Sequence, residues 1–449
     1  MFIRRLNYVR LAALPLSLTL ISILAGSVIN RVMVVELGLP VTLAGLFIAI
    51  PLLIAPVRVW LGYRSDAYPL RGLRREPYII LGAILAGFSA AVAVILVLNT
   101  SDLLSAGAIG ILVALIVYGV GKNLANNTFQ ALIADKFEAG PKRSRAANLY
   151  EVVRMVGLVM AAGILGVILQ PYSAERLTST VVIMAVLATL LAIIATIGQE
   201  PRTDVLKEAG EAARAVNFKK VVKELVWDDP QARLFFTIVM LTLMGTQMQD
   251  VLLEPYGALV FGMNVGQTTQ LTAFWGVGTL IAILLAGLFL LKRFGNVPVF
   301  RVGLIIVILL FPGIVLAGLS GNSNLLRLLT VGLGLGTGLS AASLLAQMVD
   351  FTTLRRAGLL VGVWGVAHQF GRALASLAGG ILVDGLMLGT KDNALISYGA
   401  AFALEAVVLV VAFVLIGRLD ISASLAVAEE QSEPSGLAAS TAPATSPSD

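Results

Sequence analysis

The sequence predicts an all-α membrane protein with twelve transmembrane helices in two pseudo-symmetric six-helix halves. Composition is the first reason: 58% of the residues are hydrophobic, 13% are charged, and the mean hydropathy is +0.92. Such values lie outside the range of soluble domains. The second reason is a set of twelve apolar runs, each about as long as a bilayer is thick. The third is a polar stretch that separates six runs from six.

Each apolar run is predicted to be a helix, because backbone groups in lipid must be satisfied within the spanning segment. The first run has no small-residue cleavage site before a polar mature chain, so we expect it to be a retained span. In chain order the runs are Leu11–Ile29, Val41–Leu61, Tyr78–Leu98, Ala106–Leu132, Leu149–Leu169, Thr180–Ile197, Leu234–Leu253, Leu271–Leu291, Val299–Leu319, Leu325–Ala346, Gly358–Leu382 and Ile396–Ile416.

The chain divides into an N-terminal half (1–198), a cytoplasmic linker (199–233), a C-terminal half (234–417) and a tail (418–449). In both halves the third helix opens with Pro and Gly five residues apart, which indicates an internal repeat with a central site between the halves. The linker carries a predicted amphipathic helix. Its apolar face holds Phe218, Val221, Val222 and Leu225. The tail is rich in Ser, Ala, Pro and Glu, and we expect it to be disordered.

Charge predicts the orientation. Twenty-four of the thirty-two Lys and Arg residues fall at the N-terminus, in every second loop and after the last span. By the positive-inside rule, both termini face the cytoplasm. The net charge of +6 therefore reflects membrane orientation, and no nucleic-acid partner is indicated. The chain has no cysteine, which excludes disulfides, Fe–S clusters and thiolate zinc sites.

Polar residues inside the predicted spans are candidate functional residues, because each is costly in contact with lipid. In the fourth span Lys122, Asn126 and Gln130 recur every four residues and form a stripe on one helical face. This stripe is a candidate central-cleft surface for binding a ligand. The alternative is that a carboxylate neutralises Lys122 while the amides join neighbouring helices.

Two intramembrane ion pairs are predicted. Arg372 and Glu405 lie near mid-membrane on consecutive antiparallel spans, so we expect them to pair. Glu151 and Arg154 lie three residues apart on one helix, which also favours a pair. Both pairs are interpreted as structural.

Asp250 and Glu254 share a helix face at the predicted outer end of the seventh span, just before a turn at Pro255. The first span is pseudo-equivalent to the seventh and ends with Arg31 and Glu36. The hypothesis is a polar gate in which Arg31 reaches Asp250 or Glu254. The alternative is a pair of interfacial carboxylates in water.

The loop after the second span resembles the loop motif of the major facilitator superfamily. Its residues are Gly62 and Asp66, followed by Arg74 and Arg75. In that superfamily the Asp steadies the start of a neighbouring helix, as anions do at helix N-termini. The resemblance implies a transporter fold and leaves the substrate open.

A narrower resemblance covers nearly the whole membrane part. The strings are "NRVMVVELGLP" (30–40), "GYRSDAYPLRGLRREPYI" (62–79), "QDVLLEPYGALVFGMNVGQTTQLT" (249–272), "QMVD" (347–350) and "AGLLVGVWG" (357–365). They are similar to PucC/LhaA-type proteins, the bacteriochlorophyll delivery branch of the superfamily. The resemblance implies an assembly factor for light-harvesting complexes in the bacterial cytoplasmic membrane. Its implied partners are membrane lipid, antenna polypeptides and pigment-synthesis enzymes, and its implied cargo is bacteriochlorophyll.

The chain departs from that family at two places. The fourth span reads "GKNLANNTFQ" (121–130) where a His-Thr-Thr type string is expected, and Arg355 and Arg356 stand where an acidic residue is usual. We therefore expect altered pigment or partner contacts. His368, the sole histidine, is a candidate ligand for the magnesium of a chlorin. The alternative for His368 is a hydrogen-bonded helix contact near Arg372.

Two classes of function stay open. One is a non-catalytic assembly factor that binds or delivers bacteriochlorophyll to antenna polypeptides. The other is a proton-coupled transporter of a small molecule, with Lys122, Asp250 or Glu254 as coupling groups. An enzyme is not predicted, because the sequence holds no nucleophile–base pair, metal cluster or nucleotide motif.

Overall fold

The computed structural model describes residues 10–100, 106–137, 141–200, 230–350, 357–390 and 393–419. Within these ranges the chain forms helices joined by short turns and contains no β-strand. The predicted amphipathic linker helix and the predicted disordered tail lie outside the described residues, so both remain predictions.

The first half consists of seven helices in six membrane segments. They are α1 (Ala13–Glu36), α2 (Val41–Leu53), α3 (Val57–Ala67), α4 (Glu76–Asn99), α5 (Ala106–Lys136), α6 (Pro141–Ile168) and α7 (Ala174–Thr196). The predicted second span is broken, because α2 ends at Leu53 and α3 begins after Pro56. Proline interrupts a helix since it lacks an N–H.

The second half also has seven helices in six segments. They are α8 (Pro230–Gln247), α9 (Gln249–Phe261), α10 (Val265–Phe294), α11 (Asn296–Ser320), α12 (Ser323–Asp350), α13 (Ala357–Thr390) and α14 (Ala394–Leu415). Eleven continuous stretches are long and apolar enough to span a membrane, and α2 supplies a shorter twelfth with α3. The prediction of an all-helical, twelve-segment membrane protein is confirmed.

The repeat seen in the sequence has a counterpart in the packing. Gly82 in α4 lies against α5, where an added Cβ would be 2.7 Å from the Gly121 carbonyl oxygen. Gly303 in α11 lies against α12, where a Cβ would be 2.8 Å from the Gly336 oxygen. These glycines allow close backbone approach at equivalent places in the two halves, as small residues do in membrane helix pairs.

The seventh segment differs from its prediction. The helix does not turn at Pro255; α9 continues to Phe261 and ends at Gly262, which has a φ of +67°. Asp250 and Glu254 therefore lie inside the helix, with Glu254 about 10 Å along the axis from its end. Pro255 has no N–H for the Val251 carbonyl, and Asn30 of α1 donates to that oxygen at 3.0 Å. The neighbouring helix thus replaces the missing hydrogen bond.

The two halves meet at one end of the bundle, which we call the closed end. There a Cβ on Gly380 of α13 would lie 2.7 Å from Thr42 Cα in α2. A Cβ on Gly166 of α6 would lie 2.7 Å from the carbonyl oxygen of Gly266 in α10. Backbone-to-backbone contact at both places joins the halves tightly. The charge distribution predicts that this end faces away from the cytoplasm.

Replacing Gly380 with Ala should destabilise the protein by about 1–3 kcal/mol, because a methyl group there overlaps the backbone of α2. Gly385→Ala on the same helix is the matched control, since a Cβ at Gly385 meets nothing within 4 Å. Thermal unfolding of the purified variants measures the difference. Equal unfolding temperatures for the two variants would show that this contact does not hold the halves together.

Candidate functional site

The candidate site is a group of charged residues inside the membrane segments and between the halves. Three Arg residues and two carboxylates belong to it, together with the histidine. They are Arg58 on α3, Glu151 and Arg154 on α6, Asp250 on α9, and His368 and Arg372 on α13. Only Arg58 was absent from the sequence-based candidates.

Arg372 pairs with Asp250. Its Nη2 lies 2.8 Å from Asp250 Oδ2, and each side chain is about one-third exposed or less. The pair links α13 to α9, so it crosses between two segments that are distant in sequence. The predicted pairing of Arg372 with Glu405 is therefore wrong.

Glu405 does not contact Arg372, because the face of α14 that carries Glu405 points in another direction. Its residue is fully buried, and neither carboxylate oxygen has a hydrogen-bond partner among the described residues. The Glu405 backbone lies against α8, where a Cβ on Gly245 would be 3.1 Å from the Glu405 carbonyl oxygen. Arg372 faces Asp250 on α9 rather than Glu405 on α14.

The Glu151–Arg154 pair is confirmed. Arg154 Nε donates to Glu151 Oε2 at 2.9 Å, and Nη2 donates to Oε1 at 2.5 Å. Such a two-bond pair fixes both side chains on one face of α6. The pair lies within electrostatic range of His368 on the opposite half, so it lines the space between the halves.

His368 stands at the centre of the charged group. Four charged side chains lie within electrostatic range of its imidazole: Arg58, Glu151, Arg154 and Arg372. Within the described ranges His368 has no hydrogen-bond partner, and it is half-buried. Its ring centroid lies 6.2 Å from that of Trp364, which stacks on Phe235 at 5.8 Å. The predicted alternative, a hydrogen-bonded helix contact, is not formed by this histidine.

Arg58 joins the charged group from α3 of the first half. A Cβ on Gly365 would lie 3.3 Å from Arg58 Nη1, so the guanidinium packs against the α13 backbone. A basic residue within the predicted second span is the sequence signal that could have identified it. Arg58 was missed because the predicted second span is long and apolar enough even when this charge is counted.

The predicted gate is wrong in its pairing. Arg31 pairs with Glu36, and its Nη2 donates to the Met263 carbonyl at 3.5 Å, so it does not pair with Asp250 or Glu254. Glu254 is 3% exposed and accepts hydrogen bonds from Ser27 and Thr272. The first and seventh segments do meet, as predicted. Their contact is made by hydrogen bonds rather than by an ion pair, because Glu36 on the same helix engages the buried Arg31.

The Lys122 stripe is only partly enclosed. Lys122 Nζ donates to the Tyr118 hydroxyl at 3.3 Å and lies 5.5 Å from that ring centroid, and no carboxylate pairs with it in the described ranges. Asn126 is half-buried, and Gln130 is exposed. The role of this stripe in ligand binding remains a prediction.

The loop motif after the second segment forms a network of hydrogen bonds. Arg75 Nε donates to Asp135 at the end of α5 at 2.8 Å, and Arg75 Nη1 donates to Ser65 at 3.1 Å. The Glu200 carboxylate accepts from the backbone N–H groups of Arg74 and Arg75 at 2.9 and 2.7 Å. These bonds tie α3, α4, α5 and the end of α7 together. Gly62 lies against α5 near Asn127, and the side chain of Asp66 lies outside the described part of the chain.

Asp384 is a second residue that sequence reasoning missed. This carboxylate on α13 accepts from Val41 N at 2.9 Å, Thr42 N at 2.8 Å and Thr42 Oγ1 at 2.6 Å. It therefore caps the N-terminus of α2 across the closed end. Asp384 follows the predicted end of the eleventh span, so the sequence alone presented it as a loop residue.

The sequence profile of the family described as "PUCC protein" matches residues 28–424. The chain belongs to this family. A relative from Rhodobacter capsulatus named "Protein PucC" is 30% identical over 91% of this chain and 90% of its own length. A second protein from that organism, "Bacteriochlorophyll synthase 44.5 kDa chain", is 31% identical over 91% of this chain and 94% of its own length.

Solved structures of membrane transporters align with the chain and support its all-helical membrane fold. The nucleoside transporter NupG aligns with a TM-score of 0.70 at 14% identity, covering 92% of this chain and 99% of its own. A bacterial homologue of the lysosomal transporter Spinster aligns with a TM-score of 0.68 at 16% identity, covering 95% and 98%. At these identities the likeness shows the transporter architecture of this PUCC family member and nothing about its substrate.

Asp384→Ala should loosen the closed end, because three hydrogen bonds to α2 are lost. The chain has no cysteine, so a single cysteine placed at Ser27 reports on the seam. We expect its labelling by a membrane-impermeant maleimide to rise at least about tenfold, since hydrogen bonds to charged groups contribute about 1.5–3 kcal/mol each. A cysteine at the exposed Leu388 controls for reagent access. Unchanged labelling at Ser27 would contradict a role of Asp384 in holding the closed end together.

Asp250→Asn and Arg372→Gln should each lower stability by about 1–2 kcal/mol, because each leaves a partly buried charge without its partner. The double variant should recover part of the loss. Glu405→Gln is the matched control: it removes an ionisable group that has no partner in the described ranges, so stability should stay the same or rise. Thermal unfolding of the purified proteins decides, and a loss in Arg372→Gln and Glu405→Gln that Asp250→Asn does not show would favour the originally predicted pairing.

Proposed function

We propose that this chain is a membrane assembly factor for bacterial light-harvesting complexes, which binds or delivers bacteriochlorophyll to antenna polypeptides. The observation that carries the proposal is the family match over residues 28–424. Two relatives bear names that refer to PucC and to bacteriochlorophyll synthesis. A third, from Rhodobacter capsulatus, is an "Uncharacterized protein in puhA-bchM intergenic region", 30% identical over 91% of this chain and 88% of its own length.

The central site fits a chlorin as cargo. A half-buried imidazole without a hydrogen-bond partner among the described residues is free to ligate the chlorin magnesium, and His368 meets that condition. The half-buried Trp364, which stacks on the buried Phe235, supplies an adjacent aromatic surface. A chlorin bound there contributes the light-absorbing ring, and the protein side chains hold and orient it.

The partners follow from the membrane setting. Lipid surrounds exposed apolar side chains on the peripheral helices, such as Val167 on α6 and Ile183 on α7. Antenna polypeptides are single helices that would dock on such faces through small residues and polar contacts. Pigment-synthesis enzymes are the candidate donors of the cargo. The cytoplasmic membrane with both termini inside is the proposed location.

The transporter alternative rests on a specific observation. Glu254 and Glu405 are buried carboxylates in a fold shared with solved transporters. A carboxylate shielded from water is what proton-coupled transport needs, because it can gain and lose a proton as the cavity changes access. In this alternative the small-molecule substrate would occupy the space between the halves.

Deleting the gene in a phototrophic host should lower the near-infrared absorption of assembled antenna complexes, because cargo no longer reaches the antenna polypeptides. Total pigment synthesis and antenna transcripts should persist. Complementation with the wild-type gene should restore absorption, and a His368→Ala variant that is present in the membrane at wild-type level should restore less. Normal antenna absorption combined with defective uptake or export of a small solute would favour the transporter instead.

A further inference from the structure

Arg58 is a cation without a carboxylate partner among the described residues. Within the described ranges, Lys122, Arg154 and Arg372 lie inside helices long and apolar enough to span a membrane, and Arg58 lies in α3, just after the break in the second segment. Arg154 pairs with Glu151, Arg372 pairs with Asp250, and Lys122 bonds to a tyrosine hydroxyl. Arg58 is half-buried, and none of the described carboxylates pairs with it.

An unpaired guanidinium in this position is costly. Removing a charge from water without a compensating anion costs several kcal/mol, so buried charges are normally paired. The two nearby carboxylates are already engaged by other arginines. Among the described residues around His368, three guanidinium groups therefore face two carboxylates, which leaves an excess of one positive charge. An anion from outside the chain would balance it.

The surroundings of Arg58 specify the shape of that anion. Its Nη1 packs against the backbone at Gly365, next to Trp364 and one turn before His368. Trp364 is half-buried and stacked on Phe235, and the ring planes of Trp364 and His368 form an angle of 41°. Aromatic surfaces of this kind favour flat conjugated rings, while a guanidinium favours a carboxylate that it can bind with two hydrogen bonds.

We propose that Arg58, Trp364 and His368 form a binding site for a planar conjugated ring that carries a free carboxylate. This rests on the proposed function: within it, the site takes the unesterified acid form of the pigment in preference to the form esterified with an isoprenoid alcohol. Esterification removes the anion that Arg58 would bind. The reaction class that consumes this ligand is therefore esterification of the carboxylate.

The test uses the full-length protein in nanodiscs of zwitterionic phosphatidylcholine, which supply no competing anionic lipid. The probes are bacteriochlorophyllide and its methyl ester, which differ in charge and share the ring. Binding is titrated by quenching of protein fluorescence. The wild-type protein should bind the free acid at least about tenfold more tightly than the ester, as expected for a charge-assisted bidentate contact.

Three variants locate the effect. Arg58→Gln should abolish the preference for the acid while leaving the affinity for the ester unchanged. Arg64→Gln is the matched control on the same helix, since Arg64 is exposed and lies against Trp60 and Tyr68, and it should keep the preference. Trp364→Ala should weaken both ligands by a similar factor, because it removes ring contact and leaves the charge.

Other results would contradict particular parts of the proposal. Equal wild-type affinity for acid and ester would overturn the carboxylate inference and leave pigment binding intact. Binding of neither ligand would contradict pigment binding in the proposed function as well. A preference that survives in Arg58→Gln would assign the carboxylate to another group. Should Arg58→Gln fail to elute as a folded protein, Arg58→Lys, which keeps the charge but loses the bidentate geometry, should show a reduced preference.

Discussion

The carbonyl of Val251, which Pro255 leaves without its helical partner, is central to how the two halves are joined. In a membrane interior no water can satisfy that oxygen, so another side chain must. Asn30 of the first segment does so at 3.0 Å, and it also reaches the carbonyl of Asp250 at 3.2 Å. The first and seventh segments are thereby held together in a fixed register. The neighbouring Glu254 carboxylate then meets Ser27 and Thr272 in the same seam.

The same rule of satisfying buried polar groups explains the other contacts at the closed end. The first N–H groups of α2 have no intrahelical acceptor, and Asp384 of the opposite half accepts from them. Glycines at Gly166 and Gly380 bring the backbones of the two halves close enough for such bonds to form. A seam of this kind combines van der Waals contact with charge-assisted hydrogen bonds, which contribute more than neutral ones.

The charged group between the halves follows a different pattern. Its ion pairs are local to the second half or to one helix: Asp250 with Arg372, and Glu151 with Arg154. No ion pair between the halves occurs in the described part of the chain. Across the halves the residues interact through longer-range electrostatics around His368. The contacts between the halves are therefore strongest at the closed end, where hydrogen bonds such as those to Asp384 join them.

The sequence by itself determined the fold class, the twelve segments and the family. Lipid imposes length and composition on every span, and the long strings similar to PucC/LhaA-type proteins are specific for that family. It also predicted the Glu151–Arg154 pair, since residues three apart on one helix are neighbours in any fold. Arg372 and Glu405 show the limit of this reasoning. Depth in the membrane can be read from position along a span, but the direction of a side chain depends on helix rotation. Rotation is set by packing between distant segments, such as Gly245 against the Glu405 backbone, and only the tertiary structure decides it.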